Sequence, residues 1–218
     1  MMTVETNLRP AKKRRNQVAL KIRLQFVDGS EETFLQAGVV ASKSVLQQTN
    51  PLNLFNQTRI VLADDYSKSV FVCSHINRVD FSFGGSGFSH IPGDHADLVE
   101  LTEADFHRYV PLHNPPLLEK REQALRVGDL QVSFLNLKMR GGSHVYLMNE
   151  TLVKIPAERM SYMQRLLSKG TLGIRLPCGG EGFLNLANLI GYTVYPGVAE
   201  VPSDTWMAQS CAIYETTH

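Results

Sequence analysis

The 218-residue chain has little cysteine: Cys73, Cys178 and Cys211 are its three thiols. So few, so scattered, they supply neither a disulfide framework nor a zinc site, and they point to a reducing compartment. Cys73 falls inside a strand pattern, where a cysteine packs as a small buried hydrophobe. Long apolar runs are missing as well. The first run, VALKIRLQF, is broken by Lys21 and Arg23, so the N-terminus lacks the apolar centre of a secretion signal. No stretch approaches the ~20 apolar residues that span a bilayer. These absences predict a soluble, cytoplasmic protein without membrane contact. Also missing are GxSxG, HExxH, paired CxxC and the phosphate-cradling GxxxxGK[ST] and GxGxxG. Catalytic groups need partners at defined geometry, so this argues against an enzyme, and neither a cofactor nor a metal site is expected.

What is there is an ordinary globular composition, 43% hydrophobic and 20% charged, sufficient for one large core or two small ones. The net charge of +1 hides an asymmetry. Residues 1–23 hold seven bases (Arg9, Lys12, Lys13, Arg14, Arg15, Lys21, Arg23) against Glu5 alone. From totals of 22 bases and 21 acids, the remainder keeps 15 and 20. A basic arm on a slightly acidic body suits nucleic acid, an anionic membrane face or the body of a neighbouring copy.

Residues 1–16 are polar and aperiodic and read as a flexible arm. From Val18 to Phe26 apolar and polar residues alternate, which predicts a half-buried strand. Asp28-Gly29 marks a hairpin, Thr33 to Val40 the return strand, and Gly38 a bulge or sharp bend within it. A short helix is expected at 43–48, then strands at 58–63, 68–74 and 76–83, turning at Asp64-Asp65. Residues 84–130 read as a linker with short helices. Thr102-Glu103-Ala104-Asp105 is a capping box opening one that ends before Pro111, and Leu117 to Arg126 is the other. Strands resume at Val132, turn at Gly141-Gly142 and return over 144–153. Pro156 to Lys169 reads as a helix stopped by Gly170. Strands at 171–176, 182–187 and 189–195 follow, then a tail, 196–218, whose Trp206 is expected to pack across a module.

Ile60 to Phe81 and Ile174 to Tyr195 align without a gap at an offset of 114, with Leu62 on Leu176, Val70 on Leu184 and Phe81 on Tyr195. The pattern predicts a mainly β, α+β protein: two pseudo-repeated five-stranded split-barrel modules, 17–83 and 131–195, joined by the helical linker. Closure of five short bent strands removes exposed edges.

Phe71-Val72-Cys73-Ser74-His75-Ile76 resembles the last strand pair of the Hfq-type, Sm-like family. His75 matches that family's RNA-contacting histidine; its lysine position is Ser74 here, and the second module carries Leu189 at the histidine position. The resemblance implies small β-barrels, rings of subunits and single-stranded RNA.

On this reading nucleic acid meets Lys12, Lys13, Arg14, Arg15, Arg23 and His75, the basic run through phosphates. His90, Asp94, His95, His107 and His113 cluster in the linker, and His90-Ile-Pro-Gly-Asp94-His95 is similar to the metal motif of metallo-β-lactamase-like hydrolases, but Pro92 stands where a second histidine is needed. The entry arginines resemble a PilZ-type cyclic-dinucleotide barrel, whose following glycine is Val70 here. The expected function is a non-catalytic binding or assembly protein, a scaffold or adaptor with a protein partner or copies of itself. Sm-like RNA binding is the alternative. A cyclic-dinucleotide barrel and a metal-dependent hydrolase using the linker histidines stand behind both.

Overall fold

The computed structural model describes residues 19–50, 53–63, 67–83, 98–113, 128, 130–152, 166–177, 179–196 and 206. Within them the chain runs β1 (Ala19–Phe26), β2 (Glu31–Ala37), α1 (Val39–Gln48), β3 (Arg59–Ala63), β4 (Lys68–Val72) and β5 (Ile76–Phe83). It continues as β6 (Leu98–Leu101), α2 (Glu103–His113), β7 (Leu130–Met139), β8 (His144–Leu152), β9 (Thr171–Arg175), β10 (Glu181–Asn185) and β11 (Leu189–Tyr195). Single 3-10 turns, Cys73–His75 and Leu186–Asn188, join β4 to β5 and β10 to β11.

Two five-stranded barrels were the expectation, and the structure corrects it. Nine strands form one open mixed sheet in the order β11-β7-β8-β6-β9-β10-β5-β1-β2, and β3 and β4 form a separate ribbon. All pairings are antiparallel except β6 with β9. The physical reason is that a strand edge is satisfied by any neighbour. β10 pairs with β5 of the other half instead of closing on its own. The segment read as a linker supplies β6, Leu98-Val99-Glu100-Leu101, which enters between β8 and β9.

The local pairing pattern nevertheless recurs. β1 pairs with β2 and β5, and β3 with β4; β7 pairs with β8 and β11, and β9 with β10. Phe26 opposite Ile76 recurs as Met139 opposite Leu189, a shift of 113 residues. The bonds Phe26 N–H to Ser30 O and Val27 N–H to His75 O recur as Met139 to Ser143 and Arg140 to Asn188. The offset of 114 therefore misplaces these strands by one residue, which turns every side chain to the wrong face. It matched Val70, half exposed, to the fully buried Leu184; in the observed pairing Phe71 takes that place. β3 corresponds to β9 at 112, because the loops on either side differ in length.

Two cores lie on opposite faces of the sheet. Leu20, Ile22 and Leu24 of β1 meet Val79, Phe81 and Phe183, under α1 and the ribbon. Leu135, Leu137, Leu147, Leu172, Ile174 and Leu184 form the other. Alternation sends Val79 and Phe183 into the first core, while Leu184 and Ile174 enter the second. β5, β9 and β10 are thus covered on both faces and are buried almost throughout.

Smaller differences have local causes. Gly38 does not bulge a strand: at φ 89° it ends β2 and stands as N-cap of α1, which begins at Val39 rather than 43. The capping box is real, with the Asp105 N–H donating to Thr102 Oγ1 at 3.1 Å, but α2 runs through Pro111 to His113. Trp206 is 95% exposed, not packed across a module. The expected helices at 117–126 and 156–169 lie wholly or mostly outside the described residues, as does the Asp64-Asp65 turn.

Candidate pairing edges and the cavity beneath the ribbon

Of the residues expected to meet nucleic acid, Lys12, Lys13, Arg14 and Arg15 lie outside the described residues, as do His90, Asp94 and His95. His75 is exposed, and its carbonyl accepts from the Val27 N–H at 2.9 Å. Its counterpart in the second half is Asn188, not Leu189, as the Arg140–Asn188 bond sets. Arg23 is not a free cation: Nε donates to Asp80 Oδ2 at 3.0 Å, and Glu31 stands 3.6 Å from Nη1. His107 and His113 sit on α2. Glu103 is 3.8 Å from His107, and the His113 ring tilts against Phe134. Among the described residues no three His, Cys, Asp or Glu side chains group to hold a metal, and no helix is long and apolar enough to cross a membrane.

Arg23 belongs to a chain of charges laid across the sheet. Asp80 links it to Arg78, whose Nε donates at 2.6 Å. Arg78 in turn grips Glu100 of β6 through both terminal nitrogens. Burial works against the charge on Arg78. Its hydrogen bonds to Glu100 and the carboxylates of Asp80 and Glu100 outweigh that, and hold the guanidinium above its ordinary range. The chain crosses β10 where Gly182 stands opposite Asp80; a Cβ there would lie 2.6 Å from Asp80 Oδ1.

A second set of polar contacts ties the two 3-10 turns together. Asn185 Nδ2 donates to the carbonyls of Cys73 and Ile76, and Asn188 Nδ2 to those of Ser74 and Ile76. Asn77 Nδ2 reaches the Arg140 carbonyl at 2.7 Å. Burial pushes the Cys73 thiol up, so it stays protonated at neutral pH. These contacts fix the junction between β5 and β10, where Phe81, Asp80, Val79 and Arg78 face Glu181, Gly182, Phe183 and Leu184.

Beyond that junction, among the described residues, β2, β3, β4 and β11 each keep one unpaired edge, and β4 and β11 are the two that carry a pair of exposed apolar side chains. Among the described residues β4 pairs only with β3, and β11 only with β7. β11, Leu-Ile-Gly-Tyr-Thr-Val-Tyr, holds no charged residue, and Ile190 and Tyr192 are exposed on it; Val70 and Val72 are exposed on β4. Charge, proline and bulges are what keep edges from pairing, and β11 has only the irregularity near Leu189. Periodicity places these side chains on one face of each strand but is silent on which edge stays bare.

Between the ribbon and the sheet lies a cavity of about 480 Å³, floored by Ile22, Leu24, Val79 and Phe81 and walled by Ile60 and Leu62. Gln48, Asn50, Asn53, Gln57 and Arg59 line its polar side. It lies where the ribbon packs over the sheet as a separate pair of strands. No family model matches the chain, and neither curated proteins nor solved structures gave a match.

Proposed function

We propose that the chain is a non-catalytic binding and assembly protein that takes up other polypeptide by strand pairing. The observation that carries this is that, among the described residues, β4 and β11 each join an unpaired edge to two exposed apolar side chains. An added strand satisfies the main-chain donors and acceptors of the edge, and alternate side-chain contacts supply selectivity. The β5–β10 junction supports the reading, because there two halves of the chain already meet in this manner.

The test is capture and mass together. Tagged wild-type chain, and variants with lysine at Val70 or glutamate at Tyr192, are used as bait in extracts of the source cell. Their molar masses are measured by light scattering. A defined oligomer or a stoichiometric partner, lost in one or both variants, is expected. A strict monomer that captures nothing, or capture indifferent to both substitutions, overturns the proposal. Recovery of nuclease-sensitive nucleic acid as the sole companion would return the basic arm to the centre.

A further inference from the structure

We infer that the partner is a second copy of this chain, with β4 of one molecule pairing against β11 of the next in the register of the internal β5–β10 junction. This rests on the assembly reading and gives it an occupant. β4 holds in the first half the place that β10 holds in the second, and β11 the place of β5, each by the same shift of 113. The internal junction therefore uses one member of each equivalent pair, and the other two members, β4 and β11, keep the equivalent edge unpaired among the described residues.

Carrying the register across makes a specific match. Val79 opposite Phe183 becomes Tyr192 opposite Val70, and Asp80 opposite Gly182 becomes Thr193 opposite Ser69. Arg78 opposite Leu184 becomes Gly191 opposite Phe71. One residue further on, Val72 faces Ile190. Val79 and Phe183 are 1% and 0% exposed inside the molecule. Val70, Val72, Ile190 and Tyr192 are 50%, 52%, 61% and 48% exposed at the edges. The four apolar side chains left in water thus pair off, Val70 with Tyr192 and Val72 with Ile190, each on one face of its strand. A Cβ at Gly191 would meet nothing within 4 Å, so the position across from Phe71 stays open for it.

Two different edges meet, so the contact is heterologous. It propagates head to tail and ends in a closed ring or a filament. The purified full chain is expected to show more than one chain per particle by light scattering. Val70→Glu and Tyr192→Glu each spoil one edge and leave the other, so each alone is expected to be monomeric. An equal mixture restores one good contact, β11 of the Val70→Glu chain against β4 of the Tyr192→Glu chain, while the other contact sets two carboxylates face to face, and is expected to give two-chain particles and nothing larger. Unchanged circular dichroism confirms that the variants fold; Val72→Glu and Ile190→Glu repeat the experiment if either does not. A monomeric wild type, a mixture of folded variants that stays monomeric, or a Tyr192→Glu chain that keeps the wild-type mass overturns the inference. If the pure chain is monomeric yet its edges still capture another protein, self-pairing falls and the assembly reading stands.

Discussion

Arg78 carries its charge to a position 6% exposed, and Asp80 to one 3% exposed. Such charges are retained only when each hydrogen-bonding direction is met, since desolvation of an unpaired ion outweighs most single contacts. Asp80 holds two arginines, one buried and one half in water, so its removal leaves the Arg78 Nε–H without its acceptor in the interior while Glu100 keeps the terminal nitrogens. Asp80→Ala is expected to cost about 1–3 kcal/mol, measured as a shift of the urea midpoint. The Arg23 contact, being screened by solvent, supplies the smaller share. Arg108→Ala, which breaks an exposed pair with Asp105, is the control and leaves the midpoint in place. Equal effects of the two substitutions would show that the chain of charges contributes nothing beyond a surface pair. The alternation of Arg78 and Asp80 with Val79 and Phe81 was legible as strand, but not their burial. A polar face reads as a wet one until something covers it, and here the second half of the chain does.

At the scale of elements, the strands with clean alternation were the legible ones. Leu20, Ile22 and Leu24 announce β1, and Gly141-Gly142 announces a hairpin. β6 was not legible: four residues carry no period, and it exists because β8 and β9 each present an open edge to it. Register was misread by one residue because low-identity apolar positions tolerate a slip that hydrogen bonds do not. The Gly141-Gly142 turn also does more than reverse the chain. Both glycines have positive φ, 84° and 87°, but only at Gly141 would a Cβ fall 1.7 Å from the Val27 carbonyl oxygen of the other hairpin. Gly142→Ala is expected to incur the left-handed penalty of roughly 1–2 kcal/mol. Gly141→Ala adds displacement of one hairpin from the other and about 1–3 kcal/mol more, by analogy with an overpacked core. Denaturation midpoints of the two variants decide it, and equal losses would mean that the hairpins are not held in contact.

At the scale of the whole molecule, the bare edges and the shared strands have one origin. β5 and β10 pair across the halves in one continuous sheet, and the equivalent edges of β4 and β11 have no partner among the described residues. The same pairing removes any plane along which the halves separate freely, because β10 buries Phe183 in the first core and Leu184 in the second, between β5 and β9. Unfolding one core uncovers a face of the strands that support the other, so the described body is expected to melt as one unit. Leu24→Ala in the first core and Leu135→Ala in the second should each cost about 2–5 kcal/mol. They should move the same transition, and their effects should add in the double variant. Association shifts midpoints with concentration, so the comparison belongs in the Tyr192→Glu chain at fixed concentration. Cys73 reports the first half. With Cys178 and Cys211 replaced by serine, its buried thiol becomes reactive only on opening, while far-ultraviolet circular dichroism follows the whole sheet. Coincident curves by the two probes are the expected result. If Leu24→Ala exposes Cys73 at a urea concentration where most of the sheet persists, the halves unfold separately and the shared strands do not couple them.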